Sequence, residues 1–194
     1  CMTRPNLAVK PGAVALMVLM AATRFHHFGT PWALPDASLA VFFFAGVCLY
    51  ARGFFLALLV EAACIDYLAI QDLGVSDYCM SPAYLFLIPT YAVMWFGGQG
   101  CQRIYSRSLI GLTRAFGGLL VATSSAFLIS NTSFYWLSSK VMMPNWAQYV
   151  DIFATYYPAY LSSTLAYGLV LYLVGVLLSL LRSRLHPVTL CSEQ

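Results

Sequence analysis

Charge is scarce in this sequence of 194 residues: Asp, Glu, Lys and Arg together supply only 9 % of it, while 61 % is apolar. Soluble globular domains carry about 25 % charged residues. A mean hydropathy of +0.77 places the sequence outside that class. The net charge of +3 is small and scattered, without a basic stripe or a recognition motif. These features exclude a nucleic-acid partner and indicate an integral membrane protein surrounded by membrane lipid.

Paired cysteines are also missing. No two of the six cysteines form a CxxC motif. This argues against a zinc ribbon, a thioredoxin-like centre and a thiol oxidase of the usual pattern. The six are Cys1, Cys48, Cys64, Cys79, Cys101 and Cys191.

Six apolar runs are present, separated by loops that contain Gly, Pro or charged residues. A membrane-spanning helix needs about 20 apolar residues, and the length suits one bundle. Residues 131–158 have a mixed composition and are predicted to form a long loop with short amphipathic pieces. We therefore expect an all-α, polytopic membrane protein with a single domain over residues 1–194. The six approximate transmembrane spans are 11–24, 34–51, 53–70, 82–98, 109–130 and 159–182.

The basic residues predict a topology. Every second connection between the runs is basic, and positive charge marks the cytoplasmic side of a membrane protein. Both termini are therefore expected in the cytoplasm. Residues 26–27, Cys79 and the stretch 131–158 are then expected together on the outer face, where loops can close over one cavity. The basic connections contain Arg4 and Lys10, Arg52, Arg103 and Arg107, and Arg182 and Arg184.

Cys79 stands in a short polar interruption between two apolar runs. Ser81 and Pro82 follow it and predict a helix start, with serine as the cap and proline at the first helical position. The partial positive charge of a helix N-terminus favours a thiolate, which is a nucleophile and a soft metal ligand. Nearby Asp77 opposes this effect. The alternatives are a cysteine that fills space beside the helix and a disulfide with Cys64.

Two carboxylates, Glu61 and Asp66, interrupt the third run. Carboxylates inside a bilayer are costly and usually face the interior of the bundle. Asp66 is near the outer end of its run, and it either pairs with Arg24 and the loops or holds an amide or amine of a bound solute. Glu61 is deeper and is interpreted as structural, with Arg114 as a candidate partner. Proton-coupled transport stays open on these two residues.

Tyr84 and the adjacent histidines are further candidates on the outer face. Tyr84 either hydrogen-bonds a ligand at the outer mouth or is an ordinary interfacial tyrosine. His26 and His27 point about 100° apart if they are helical, so joint ligation of one metal by both is disfavoured.

Several motifs together carry a resemblance to a known family. They are the segment 25–32 (FHHFGTPW) leading into 34–38 (LPDAS), the helix end at Asp66, the segment 78–82 (YCMSP) with Tyr84, and 129–131 (ISN) near the end of the fifth run. With six spans, the sequence resembles the BtuM family. These are solitary vitamin B12 (cobalamin) substrate-binding S components of the energy-coupling factor (ECF) type. The similarity covers most of the chain.

The resemblance implies a six-helix ECF S-component-like bundle that binds cobalamin at its outer half and takes it up across the bacterial cytoplasmic membrane. Cys79 is expected to bind the cobalt from the lower axial side and to promote loss of cyanide from cyanocobalamin. Asp66 and Tyr84 are expected on the corrin or its amide arms. Further ligand contacts are expected from His27, Asp77, Tyr78 and Met80.

The sequence leaves alternatives open for the energy source of transport and for the activity. The first helix has no pair of small residues four apart: Met17 stands between Ala13 and Ala21. This puts docking to a shared ECF module in doubt and agrees with a solitary component. An alternative function is a corrinoid-modifying membrane enzyme or chaperone that does not transport. A weaker alternative is a thiol-redox or haem-handling membrane protein.

Overall fold

A computed structural model describes residues 11–26, 34–48, 52–73, 81–102, 109–138, 141 and 143–185. These residues form α-helices and a short 3-10 helix, with no strand among them, which confirms the all-α prediction. The 3-10 helix, Pro82–Phe86, leads directly into α4. The α-helices are α1 (Pro11–His26), α2 (Ser38–Cys48), α3 (Arg52–Leu73), α4 (Leu87–Gln102), α5 (Leu109–Leu137) and α6 (Trp146–Leu185).

Three of these helices are long and apolar enough to cross a membrane, within Arg52–Gln71, Gly111–Leu137 and Trp146–Leu181. α1 and α2 are shorter apolar helices. Many of the large side chains on α6 are exposed leucines and valines, as expected of a surface that lies against lipid rather than water. The chain therefore has the features of a multi-pass membrane protein.

The predicted long loop over residues 131–158 is wrong. α5 continues to Leu137, and α6 begins at Trp146 and contains Pro158 in its interior. Proline inside a helix removes one backbone hydrogen bond, and the sequence reading therefore placed the start of the helix after Pro158. Ring contacts between residues 146–157 and α5 stabilise the added turns.

The α5–α6 pair is held by aromatic rings and hydroxyl groups. Phe127 on α5 contacts Phe153, Tyr157 and Tyr160 on α6, with ring centroids 5.1, 5.4 and 5.1 Å away. The hydroxyls of Ser124 and Tyr157 are hydrogen-bonded at 2.8 Å. Buried rings in such arrangements stabilise a pair by about 0.5–1.5 kcal/mol beyond their area. These contacts keep the two helices together at the end where the cavity described below lies.

The helix start after Cys79 is confirmed, but its serine cap is not formed. Ser81 has an extended backbone (φ −136°, ψ 170°), and Pro82 occupies the first turn of the 3-10 helix. The Ser81 side chain makes no capping hydrogen bond, and its buried Oγ has no partner. Proline lacks the N–H that would otherwise need a cap at this position, so the chain enters the helix without help from the serine hydroxyl.

Helices α2 and α4 approach each other closely at two glycines. A Cβ atom on Gly46 would lie 2.1 Å from the backbone oxygen of Trp95, and one on Gly98 would lie 2.0 Å from the backbone oxygen of Phe43. Small residues permit such backbone approach between helices in a membrane. The α2–α4 pair thereby forms the centre of the core, where Phe42 and Met94 are fully buried.

We expect Gly98→Ala to destabilise the protein by about 1–3 kcal/mol, the range found for overpacked cores. The added methyl group would meet backbone rather than a flexible side chain, so the helices must separate. Thermal unfolding in detergent measures the change. Gly100→Ala is the matched control on the same helix, because nothing lies within 4 Å of its Cβ position. A loss for Gly100→Ala as large as that for Gly98→Ala would contradict the packing argument.

Candidate ligand-binding cavity

A cavity of about 550 Å³ lies where α1, α3 and α5 end and where α2, α4 and α6 begin. Its size falls within the roughly 300–1,000 Å³ of small-molecule and cofactor sites. The lining residues come from the C-terminal ends of some helices and the N-terminal ends of the helices that follow them. Such ends meet on one side of a bundle when consecutive helices run antiparallel. They are Arg24, Asp36, Asp66, Ala83, Tyr84, Leu87, Tyr91, Phe127, Ser130, Asn131, Phe134, Tyr135, Val141, Ile152, Tyr156 and Tyr160.

One wall of the cavity is built around a buried ion pair. Arg24, in the last turns of α1, donates from Nε to Oδ1 of Asp66 at 2.6 Å and from Nη2 to Oδ2 at 2.5 Å. The two residues are 6 % and 7 % exposed. This two-bond arrangement is the strongest geometry available to a guanidinium and a carboxylate. Because each charge is desolvated, removal of either partner alone would leave an uncompensated buried charge.

The same guanidinium also reaches α2 and α4. Its Nη1 donates to the Tyr91 hydroxyl at 2.7 Å and to Ser38 Oγ at 3.0 Å, and it lies 3.3 Å from Oδ2 of Asp36. Asp36 in turn accepts a hydrogen bond from the backbone N–H of Ser38 at 2.9 Å and so caps the start of α2. Arg24 thus joins elements from four helices at the cavity. We call Arg24, Asp36, Ser38, Asp66 and Tyr91 the Arg24 network.

The opposite wall, on α5 and α6, is aromatic. Its polar members on α5 are Ser130 and Asn131, and Asn131 Nδ2 is buried without a hydrogen-bond partner. The cavity therefore has two unlike sides, one carrying charge and hydroxyl groups and the other carrying rings. A ligand that fits both has an apolar face and a polar edge. The rings of this wall belong to Phe127, Phe134, Tyr135, Tyr156 and Tyr160.

Two of the predicted site residues meet at this cavity. Asp66 lines it and forms the pair with Arg24 that the sequence offered as one interpretation, while contact of Asp66 with a bound solute stays a prediction. Tyr84 lines it as well, and its hydroxyl donates to Asp66 Oδ2 at 2.7 Å. The other predicted contacts, which are His27, Asp77, Tyr78, Cys79 and Met80, lie outside the described residues.

Glu61 and Cys64 on α3 stand apart from the site. The suggested pairing of Glu61 with Arg114 is not formed: the buried Oε2 of Glu61 has no partner, and Arg114 is exposed. Glu61 and Asp66 are about 140° apart on a helix, so Glu61 does not share the face of α3 that carries Asp66. Cys64 is a free thiol on the exposed face of α3, where it neighbours the exposed residues Val60 and Tyr67.

Sequence reasoning missed most of the polar wall. It named Arg24 only as one partner for Asp66, and it did not name Asp36 or Tyr91 as site residues. A cation at the end of an apolar run was the available signal, because a buried arginine must find acceptors. Within the ranges that the structure describes, no group of three or more His, Cys, Asp or Glu side chains is placed to hold a metal ion.

In comparisons with known proteins, no protein-family model and no curated protein matches the chain.

Proposed function

We propose that this chain binds cobalamin in the cavity and takes it up across the bacterial cytoplasmic membrane, with Cys79 as the ligand of cobalt. The two unlike walls of the cavity support the proposal best. A corrin is a flat macrocycle with apolar faces and amide-bearing edges. The rings of α5 and α6 suit its face, while Asp66 supplies an acceptor for an amide N–H at its edge.

The role of Cys79 in the proposal rests on its place in the sequence. It stands five residues before Tyr84, whose hydroxyl contacts Asp66 at the cavity. A continuous helical segment starts at Pro82 and runs to Gln102. Thiolate sulfur is a soft ligand that suits a transition metal. Coordination also deprotonates the thiol outright, which outweighs the opposing charge of Asp77.

The proposal includes six membrane spans with both termini in the cytoplasm. Alternating basic connections support this arrangement, and three of the six proposed spans coincide with helices long and apolar enough to cross a membrane. We expect a reporter that functions only in the cytoplasm to be active when it is fused after Gln194. The matched fusion places a reporter that functions in the periplasm at the same position and should stay inactive. Activity of the periplasmic reporter alone would reverse the orientation and place the cavity on the other side.

The visible spectrum of protein purified with added cobalamin tests the proposal directly. We expect the corrinoid to elute with the folded protein and to show a spectrum that differs from free cobalamin. Haemin is the control ligand, because binding of haemin instead would favour a haem-handling protein. A folded protein that retains no corrinoid would refute the proposal.

Transport is tested separately in cells whose only route for cobalamin is this chain. Growth that depends on added cobalamin is expected when the chain is produced. Binding without growth would favour the alternative in which the protein modifies corrinoids and does not move them. The same cells, with and without an ECF energising module, distinguish a solitary component from one that shares such a module.

A further inference from the structure

The Asp66 carboxylate is held from two directions at the cavity wall. Oδ1 accepts from Arg24 Nε at 2.6 Å, while Oδ2 accepts from Arg24 Nη2 at 2.5 Å and from the Tyr84 hydroxyl at 2.7 Å. The carboxylate cannot turn about its terminal torsion without breaking these bonds. Its orientation is therefore fixed before any ligand arrives.

These bonds also limit what Asp66 can offer. A carboxylate has about four lone-pair positions. Two on Oδ2 and one on Oδ1 are already used by Arg24 and Tyr84. Among the residues that the structure describes, none occupies the second position on Oδ1, and Asp66 lines the cavity. Asp66 thus has a single acceptor position left for a ligand.

Most of the polar hydrogens of Arg24, and the hydroxyl proton of Tyr84, are directed at other protein groups. Arg24 uses Nε and Nη2 on Asp66 and Nη1 on Tyr91 and Ser38. The hydroxyl proton of Tyr84 is donated to Asp66. We infer that Arg24 and Tyr84 are positioning residues, which act on the ligand through Asp66 by aiming its remaining acceptor. This inference rests on the proposed function, because cobalamin is the ligand with which it is tested.

Two double-mutant cycles on cobalamin affinity test the inference. Arg24→Lys keeps the charge but cannot form the two-bond contact, and Tyr84→Phe keeps the ring but removes the hydroxyl. Each is expected to weaken binding about tenfold in the otherwise unchanged protein. In an Asp66→Asn background each should change affinity by less than about twofold, because groups that act through one residue are not additive.

Ser124→Ala is the control for general damage to the bundle. It removes a hydrogen bond to the Tyr157 hydroxyl between α5 and α6, and neither Ser124 nor Tyr157 lines the cavity. Its affinity should stay within about twofold of the unchanged protein, even where its unfolding temperature falls. If Arg24→Lys does not fold, the Tyr84→Phe cycle decides, since loss of one hydroxyl is a smaller change.

The outcomes separate this inference from the proposed function. Suppose that the folded, unchanged protein binds cobalamin and that each substitution still weakens binding about tenfold in the Asp66→Asn background. Arg24 and Tyr84 then contact the ligand independently, and the inference is refuted while the proposed function stands. If the losses vanish in that background, the positioning role is supported. If the folded, unchanged protein binds no cobalamin, both proposals fail together.

Discussion

Cys79→Ser is expected to abolish cyanide release from cyanocobalamin and to shift the spectrum of the bound corrinoid towards that of free cobalamin. The physical reason is the donor atom. A serine oxygen keeps nearly the size of the sulfur but is harder and binds a soft metal more weakly. Strong donation from an axial thiolate weakens the bond to the group on the opposite side of the cobalt. Without the thiolate, that weakening is lost.

The measurement is the absorbance change of cyanocobalamin mixed with purified protein, followed over time. Cys64→Ser is the matched control, because Cys64 is a free, exposed thiol on α3 and does not line the cavity. It should release cyanide at the rate of the unchanged protein. If Cys79→Ser also keeps that rate and an unchanged spectrum, thiolate–cobalt coordination is wrong. Cys79 would then be a structural cysteine.

The order and type of the helices were predictable because apolar runs of this length have few other solutions in a membrane. The predicted loop was wrong at residues 146–157, where the composition indicates a loop but the packing stabilises a helix. Residues 146–157 contain polar side chains and precede Pro158, so the pattern indicates a loop. The rings of Tyr149, Phe153 and Tyr157 contact α5 and one another instead. Such pairing depends on two helices meeting in space, which neither helix reveals alone.

Part of the candidate site was also predictable from the sequence. Asp66 and Tyr84 could be named because a carboxylate and a hydroxyl at the outer end of apolar runs are unusual enough to need a role. The Arg24 network joins residues 42 and 67 positions apart. Spacing along one helix carries no information about such contacts. A buried arginine such as Arg24 indicates only that hydrogen-bond acceptors lie nearby. The structure shows which residues they are.

Asp66→Asn is expected to weaken cobalamin binding by about ten- to a hundredfold, the range that follows from losing a hydrogen bond to a charged group. The substitution removes the ionised acceptor at the cavity wall. Where the new amide nitrogen faces Arg24, two donors oppose each other. Affinity is measured by titration of the purified protein with cobalamin, after size-exclusion chromatography has shown that the variant is folded.

Glu61→Gln is the matched comparison, since both carboxylates belong to α3 and both substitutions replace a charge with an amide. Glu61 does not line the cavity, and its buried Oε2 has no partner to lose. Neutralising an unpartnered buried carboxylate carries no loss of a hydrogen bond, so affinity should change by less than about threefold. Equal losses for the two variants, or a larger loss for Glu61→Gln, would remove Asp66 from the site. A variant of Glu61 that binds normally but no longer supports uptake would instead favour proton-coupled transport through that residue.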